Sequence, residues 1–193
     1  MAATAGLPGW TLMTVAMMGP AALARFRDIG GAAAHPARAT AGFALAYLAV
    51  WAVFGFGVQA AAGAIAGVPG TQALALVLLA AVGWQLSPVK RRLLRASHRK
   101  PGHPAPSDNS KRRPRSVSGT AALAHGLRYG LCCLGACWCL MLVMVAAPAG
   151  QLFWLAGLSA MITAERVFHV RESAVAAALG VAAAATLSIG GLF

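Results

Sequence analysis

Acid is nearly absent from this chain. Four Asp and Glu face sixteen Lys and Arg, and charged residues make up only 10% of the sequence; an average soluble domain carries about 25%. No paired carboxylates, Ser/His/Asp set, phosphate-cradling loop or dinucleotide fingerprint is present, so the chain is read as a non-enzyme. Cysteine is missing everywhere except between residues 132 and 139. Charge of either sign is missing from Leu131 to Thr163. Uncharged apolar runs of about 20 residues are what a bilayer core requires, and they exclude a soluble fold. A net charge of +12 would suggest nucleic acid in a soluble protein. Here the basic residues sit in loops between the apolar runs, where the positive-inside rule accounts for them, and no nucleic acid partner is expected.

Six apolar runs are present, covering about 7–23, 39–67, 71–88, 120–147, 151–164 and 173–193. They predict an all-α polytopic transmembrane helix bundle of about six spans, with 1–193 as a single integral membrane domain. The first run is expected to be retained rather than cleaved, because no Lys or Arg precedes it while Arg25 and Arg27 follow it, the reverse of a secretory signal. Val68-Pro69-Gly70 and Pro148-Ala149-Gly150 read as turns. Lys90 to Ser97 reads as a basic extension of the third helix at the headgroups. Residues 98–118 are Pro-rich and basic and read as a disordered cytoplasmic loop, attracted to anionic lipid headgroups. Placing this loop in the cytoplasm puts every Lys and Arg on or near that side. The expectation is a bacterial inner-membrane protein with both termini extracytoplasmic.

Trp10 to Pro20 aligns without gaps on Trp138 to Pro148, with Trp, Leu, Met, Val and Pro coinciding. In the topology above the first and fourth spans run in opposite directions. The alignment therefore raises a 3+3 inverted repeat, an architecture that places binding sites near the midplane.

The chemical anomaly is sulfur inside the fourth span. At about 100° per residue, Cys133, Cys137, Met141 and Met144 share one face, and His125, Cys132 and Cys139 form a neighbouring stripe. Met13 and Met17 lie one turn apart at matching depth in the first span, so Met13, Met17, Cys133, Cys137 and Met141 converge if the two spans touch. Thiolate and thioether select soft metals, Cu(I) foremost. The spacing fits no zinc ribbon, C-x-x-C redox pair or haem attachment motif. Cβ atoms of an i,i+4 pair are about 5–6 Å apart, beyond disulfide reach. Cys and Met are also ordinary apolar packing residues. A thiolate pair in hydrocarbon needs a counter-charge. Arg128 lies roughly 8 Å from Cys133 along the helix axis, so either the metal itself supplies the compensation or the thiols stay protonated and the site is only packing. Glu165 is the acidic residue nearest the hydrocarbon and a functional candidate by default, but its place at the inner boundary beside Arg166 reads at least as well as a simple ion pair or a snorkelling carboxylate.

Several stretches together resemble a bacterial family of predicted metal-binding integral membrane proteins of unestablished function. They are Trp10-x-x-Met13-x-x-Ala16-Met17-Met18-x-Pro20; Gln85, Pro88 and Lys90; Gly130-x-x-Cys133-x-Gly135-x-Cys137-Trp138-x-Leu140-Met141; and Glu165. The resemblance implies a helical membrane fold and a metal site. The family usually carries two adjacent cysteines before the tryptophan, where this chain has Ala136 and Cys137. It also tends to carry cysteines after the lysine, where this chain has Arg95 and Ser97, and it usually has a further N-terminal span. The first two departures remove sulfur from an implied site, leaving Cys132 and Cys139 on the other stripe to compensate.

Two functions from different classes follow. One is a membrane protein that binds or transfers a soft metal ion through Cys133, Cys137, Met141, Met13, Met17, Cys132 and Cys139, with copper as Cu(I) the implied cofactor and no other. The alternative is a non-catalytic packing or assembly subunit, bound to a membrane protein partner, whose cysteines are core. A thiol–disulfide enzyme is disfavoured, because such chemistry wants an exposed, low-pKa thiol.

Overall fold

The computed structural model describes residues 6–62, 70–97, 118–147, 151–167 and 172–190. They form seven α-helices: α1 (Gly6–Ala32), α2 (Pro36–Ala62), α3 (Gly70–Gln85), α4 (Pro88–Ser97), α5 (Gly119–Ala146), α6 (Gln151–Val167) and α7 (Glu172–Gly190). No strand occurs among the described residues. The Val68-Pro69 and Pro148–Gly150 turns, both chain ends and the basic loop from 98 to 117 lie outside the described residues.

Helices α1, α2 and α5 are long and apolar enough to cross a membrane, and the bent pair α3–α4 makes a fourth if counted as one span. Large apolar side chains point away from the bundle on several helices, among them Leu12, Leu45, Val53, Phe56, Leu152, Phe153 and Val181. An exposed apolar surface this extensive marks an interface with something equally apolar.

Local sequence sets the helix boundaries. Ser118 caps α5, its hydroxyl accepting from the Ala121 amide at 3.3 Å. α1 runs further than its apolar stretch, through Pro20 and on past Arg25 and Arg27 to Ala32. Arg25 helps to hold that extension. It pairs with Asp28 at 3.3 Å and donates to the Ser97 carbonyl at 2.8 Å, capping the far end of α4.

The third apolar run is not one straight helix. Pro88 disfavours helical geometry at Ser87, and α3 gives way to α4 through a bend of 69°. Ser87 then starts α4, its hydroxyl accepting from the Val89 amide at 3.1 Å, with Pro88 in the first helical position where its missing N–H costs nothing. The basic stretch read as a simple continuation is thus a separate helix. Arg91, Arg92 and Arg95 are exposed on it, while Lys90 turns fully inward.

α5 is the central helix. Of its membrane-length stretch 56% is buried, against 33% for α1 and 28% for α2. It packs on α2, α3, α4 and α6; α1 packs on α2 and α6, and α3 on α7. Gly126 is what lets α2 approach: a Cβ there would collide with the Phe43 carbonyl oxygen and crowd the Phe43 Cα at 3.0 Å. Backbone cannot swing aside as a side chain can, so any larger residue must push the helices apart.

Candidate metal centre

The site is built where α1, α2, α5 and α6 meet. Cys133 and Cys137 lie one turn apart on the buried face of α5, each about 1% exposed. The Met18 thioether from α1 lies 4.0 Å from the Cys133 sulfur. The Tyr47 hydroxyl from α2 stands 3.4 Å from the same sulfur. From α6, the Arg166 guanidinium reaches the Cys137 sulfur at 3.7 Å and donates to the Tyr129 hydroxyl at 3.2 Å. Tyr129 also offers its ring face to the guanidinium at 5.7 Å, a contact that strengthens when desolvated. Phe43, Tyr47 and Tyr129 line one wall as an aromatic stack, with centroids 5.7 to 6.4 Å apart.

The residues read from sequence are distributed as follows. Cys133 and Cys137 are together at the centre. Met141 is fully buried one turn further along α5. Met17 is fully buried, and its carbonyl accepts from the Ser159 hydroxyl at 3.4 Å. The neighbouring Met18 is the residue whose sulfur meets Cys133. Met13 is half-buried against the core. Cys132 is half-buried and Cys139 buried, both as free thiols on the other faces of α5. No three Cys, His, Asp or Glu side chains cluster to hold a metal among the described residues. A soft-metal site here with three side-chain ligands would therefore include methionine.

The cation beside the thiols is not Arg128 but Arg166, 3.7 Å from the Cys137 sulfur. Adjacent residues on a helix point in different directions, so Glu165 and Arg166 do not pair. Glu165 instead takes Lys90 from α4, whose Nζ donates to both carboxylate oxygens at 2.7 and 2.8 Å with both side chains buried. This pair ties the broken helix to α6. A second tie is the Trp84 indole, which donates to the Gly135 carbonyl at 3.0 Å. Gly135 lets α4 pack closely: a Cβ there would sit 2.7 Å from the Leu93 Cδ1, so the Leu93 side chain would have to shift. Gln85, at the break itself, is 1% exposed, and neither end of its amide finds a partner among the described residues.

The elements that resembled a family in sequence are therefore one structure: Met18 meets Cys133, Gly135 seats α4, and Lys90 meets Glu165. A family model described as a copper chaperone, PpoB2, matches residues 7–189. The chain belongs to the PpoB2 copper chaperone family. The match spans α1 to α7, so it takes in the sulfur site, the bent pair and the buried ion pair alike. No curated protein and no solved structure matches this PpoB2 chain.

Proposed function

We propose that this chain is a non-enzymatic integral membrane protein that takes up one Cu(I) ion between Cys133, Cys137 and Met18 and hands it to a partner. The observation that carries the reading is the approach of the Met18 and Cys133 sulfurs to 4.0 Å. With metal–sulfur bonds of about 2.3 Å, as in zinc thiolates, two sulfurs at that separation would subtend roughly 120° at a shared ion. That separation suits two sulfurs on one ion, with Cys137 one turn along α5 as the third ligand, and soft ligands of that kind favour Cu(I). Met141, Met17 and Met13 extend the sulfur supply along α5 and α1, and Cys132 and Cys139 stand outside the loaded site. The family name points the same way.

The setting is a bacterial inner membrane with six spans, both termini outside and the basic loop inside, facing anionic lipid. α6 has 17 residues, the lower limit for crossing a bilayer, and α7 has 19. The one-sided placement of Lys and Arg supports this orientation. The packing matches an inverted repeat of α1–α3 and α5–α7 only in part: α6 packs on α1 as α2 packs on α5, and α3 packs on α7, whereas the α3–α5 contact has no α1–α7 counterpart of like extent among the described residues. Reporters fused after Phe193 should be active only on the extracytoplasmic side, and activity confined to the cytoplasm would overturn the orientation.

The purified protein, loaded anaerobically in detergent, should retain one Cu(I) per chain. Met18→Leu keeps shape and apolarity but removes the third sulfur, so affinity measured against a Cu(I) chelator should fall at least about tenfold. Met17→Leu should leave it within about twofold, as a volume-conserving swap outside the ligand set. Equal loss in both variants would remove Met18 from the site. Absence of Cu(I) from the wild-type protein would favour the packing-subunit reading instead.

A further inference from the structure

We propose that Arg166 is the residue that makes this site choose a monovalent over a divalent soft ion, an inference that rests on the copper reading above. Metal bound by thiols is bound by thiolates. Two thiolates around an M⁺ ion leave one net negative charge, and around an M²⁺ ion leave none. The Arg166 guanidinium, always charged, stands 3.7 Å from the Cys137 sulfur inside the bundle. With it, the loaded M⁺ site is neutral and the loaded M²⁺ site carries an uncompensated positive charge in a low-dielectric interior, which is costly.

Among the described residues nothing else cancels Arg166. Glu165, its neighbour, is fully engaged by Lys90 through both oxygens, and Arg166 pairs with no carboxylate among the described residues. The side chain is held in place by neutral partners, the Tyr129 hydroxyl at 3.2 Å and the Tyr129 ring. Its Nε has no hydrogen-bond partner among the described residues. A buried guanidinium held by a phenol and a thiol alone is a standing positive charge, matched only when the site carries one negative charge.

The test uses two soft, closed-shell, redox-inert ions that differ by one charge, Ag(I) and Cd(II). Each is offered separately and in competition to the detergent-solubilised full-length protein. The wild type should take one Ag(I) per chain and prefer it to Cd(II). In Arg166→Gln the Ag(I)-to-Cd(II) affinity ratio should fall at least about tenfold, given the strength of a charge contact near 4 Å. Arg166→Lys, which keeps the charge, should stay close to the wild-type ratio. A merely structural role would weaken both ions alike and leave the ratio unmoved, and that result overturns the proposal. So does a wild type that takes Cd(II) as readily as Ag(I), a measurement that stands even if Arg166→Gln fails to fold. Failure of the copper reading looks different: the wild type then binds neither ion.

Discussion

Glu165→Gln is expected to destabilise the protein by about 3–5 kcal/mol, the usual cost of removing one partner from a buried ion pair. Lys90 is wholly buried, and its ammonium donates to both carboxylate oxygens. Without the carboxylate it must stay charged in the interior or give up its proton. α4 is the element that suffers, because Lys90 lies in its first turn and joins it to α6. Thermal unfolding of the detergent-solubilised variant should show a large drop in midpoint. Replacing both residues, Lys90→Met with Glu165→Met, should recover much of the loss, since no charge is then left unpaired. A double variant no more stable than Glu165→Gln would mean that the pair does more than neutralise itself.

Cys133→Ser with Cys137→Ser is expected to abolish stoichiometric Cu(I) binding while the protein still folds. Two of the three sulfurs disappear, and hydroxyls are hard, weak donors to Cu(I). Cys132→Ala and Cys139→Ala should bind copper as the wild type does, because neither side chain is among the groups gathered around Met18 and Arg166. Copper tolerance of the host should follow the same division. Undiminished copper in the Cys133/Cys137 double variant would move the site elsewhere.

How much of this could be read from residues alone varies from place to place. Cys133 and Cys137 were legible because i,i+4 spacing on a helix puts side chains on one face whatever the tertiary fold. Matching depth put a first-span methionine beside that face only on the condition that the two spans touch, which the residues alone do not show. The choice between Met17 and Met18 was not legible. They differ by about 100° around α1, and only the rotation of α1 against α5 decides which one meets Cys133.

Charge was harder. Lys90 opens a basic run, and its neighbours Arg91, Arg92 and Arg95 do behave as surface residues. Nothing local separates Lys90 from them. It is singled out by the bend at Pro88, after which Lys90 points into the bundle while Pro88 and Val89 stay exposed, and by a carboxylate 75 residues away. Glu165 and Arg166 looked like partners because they adjoin, yet adjacency on a helix is separation in direction. Each instead serves a different helix. Tyr47 packs in the aromatic wall, and its hydroxyl also lies on the Cys133 sulfur. A hydroxyl on an otherwise apolar buried face is a signal that sequence offers only to a reader who already knows what faces it.

The central claim is that copper sits among sulfurs inside the bundle. X-ray absorption at the copper edge of the anaerobically loaded protein tests it most directly. The account predicts one Cu(I) per chain with two or three sulfur neighbours at about 2.3 Å, close to the length of a metal–thiolate bond, and loss of one sulfur in Met18→Leu. A first shell of nitrogen and oxygen only, or copper that washes away with the wild-type protein intact, would contradict it.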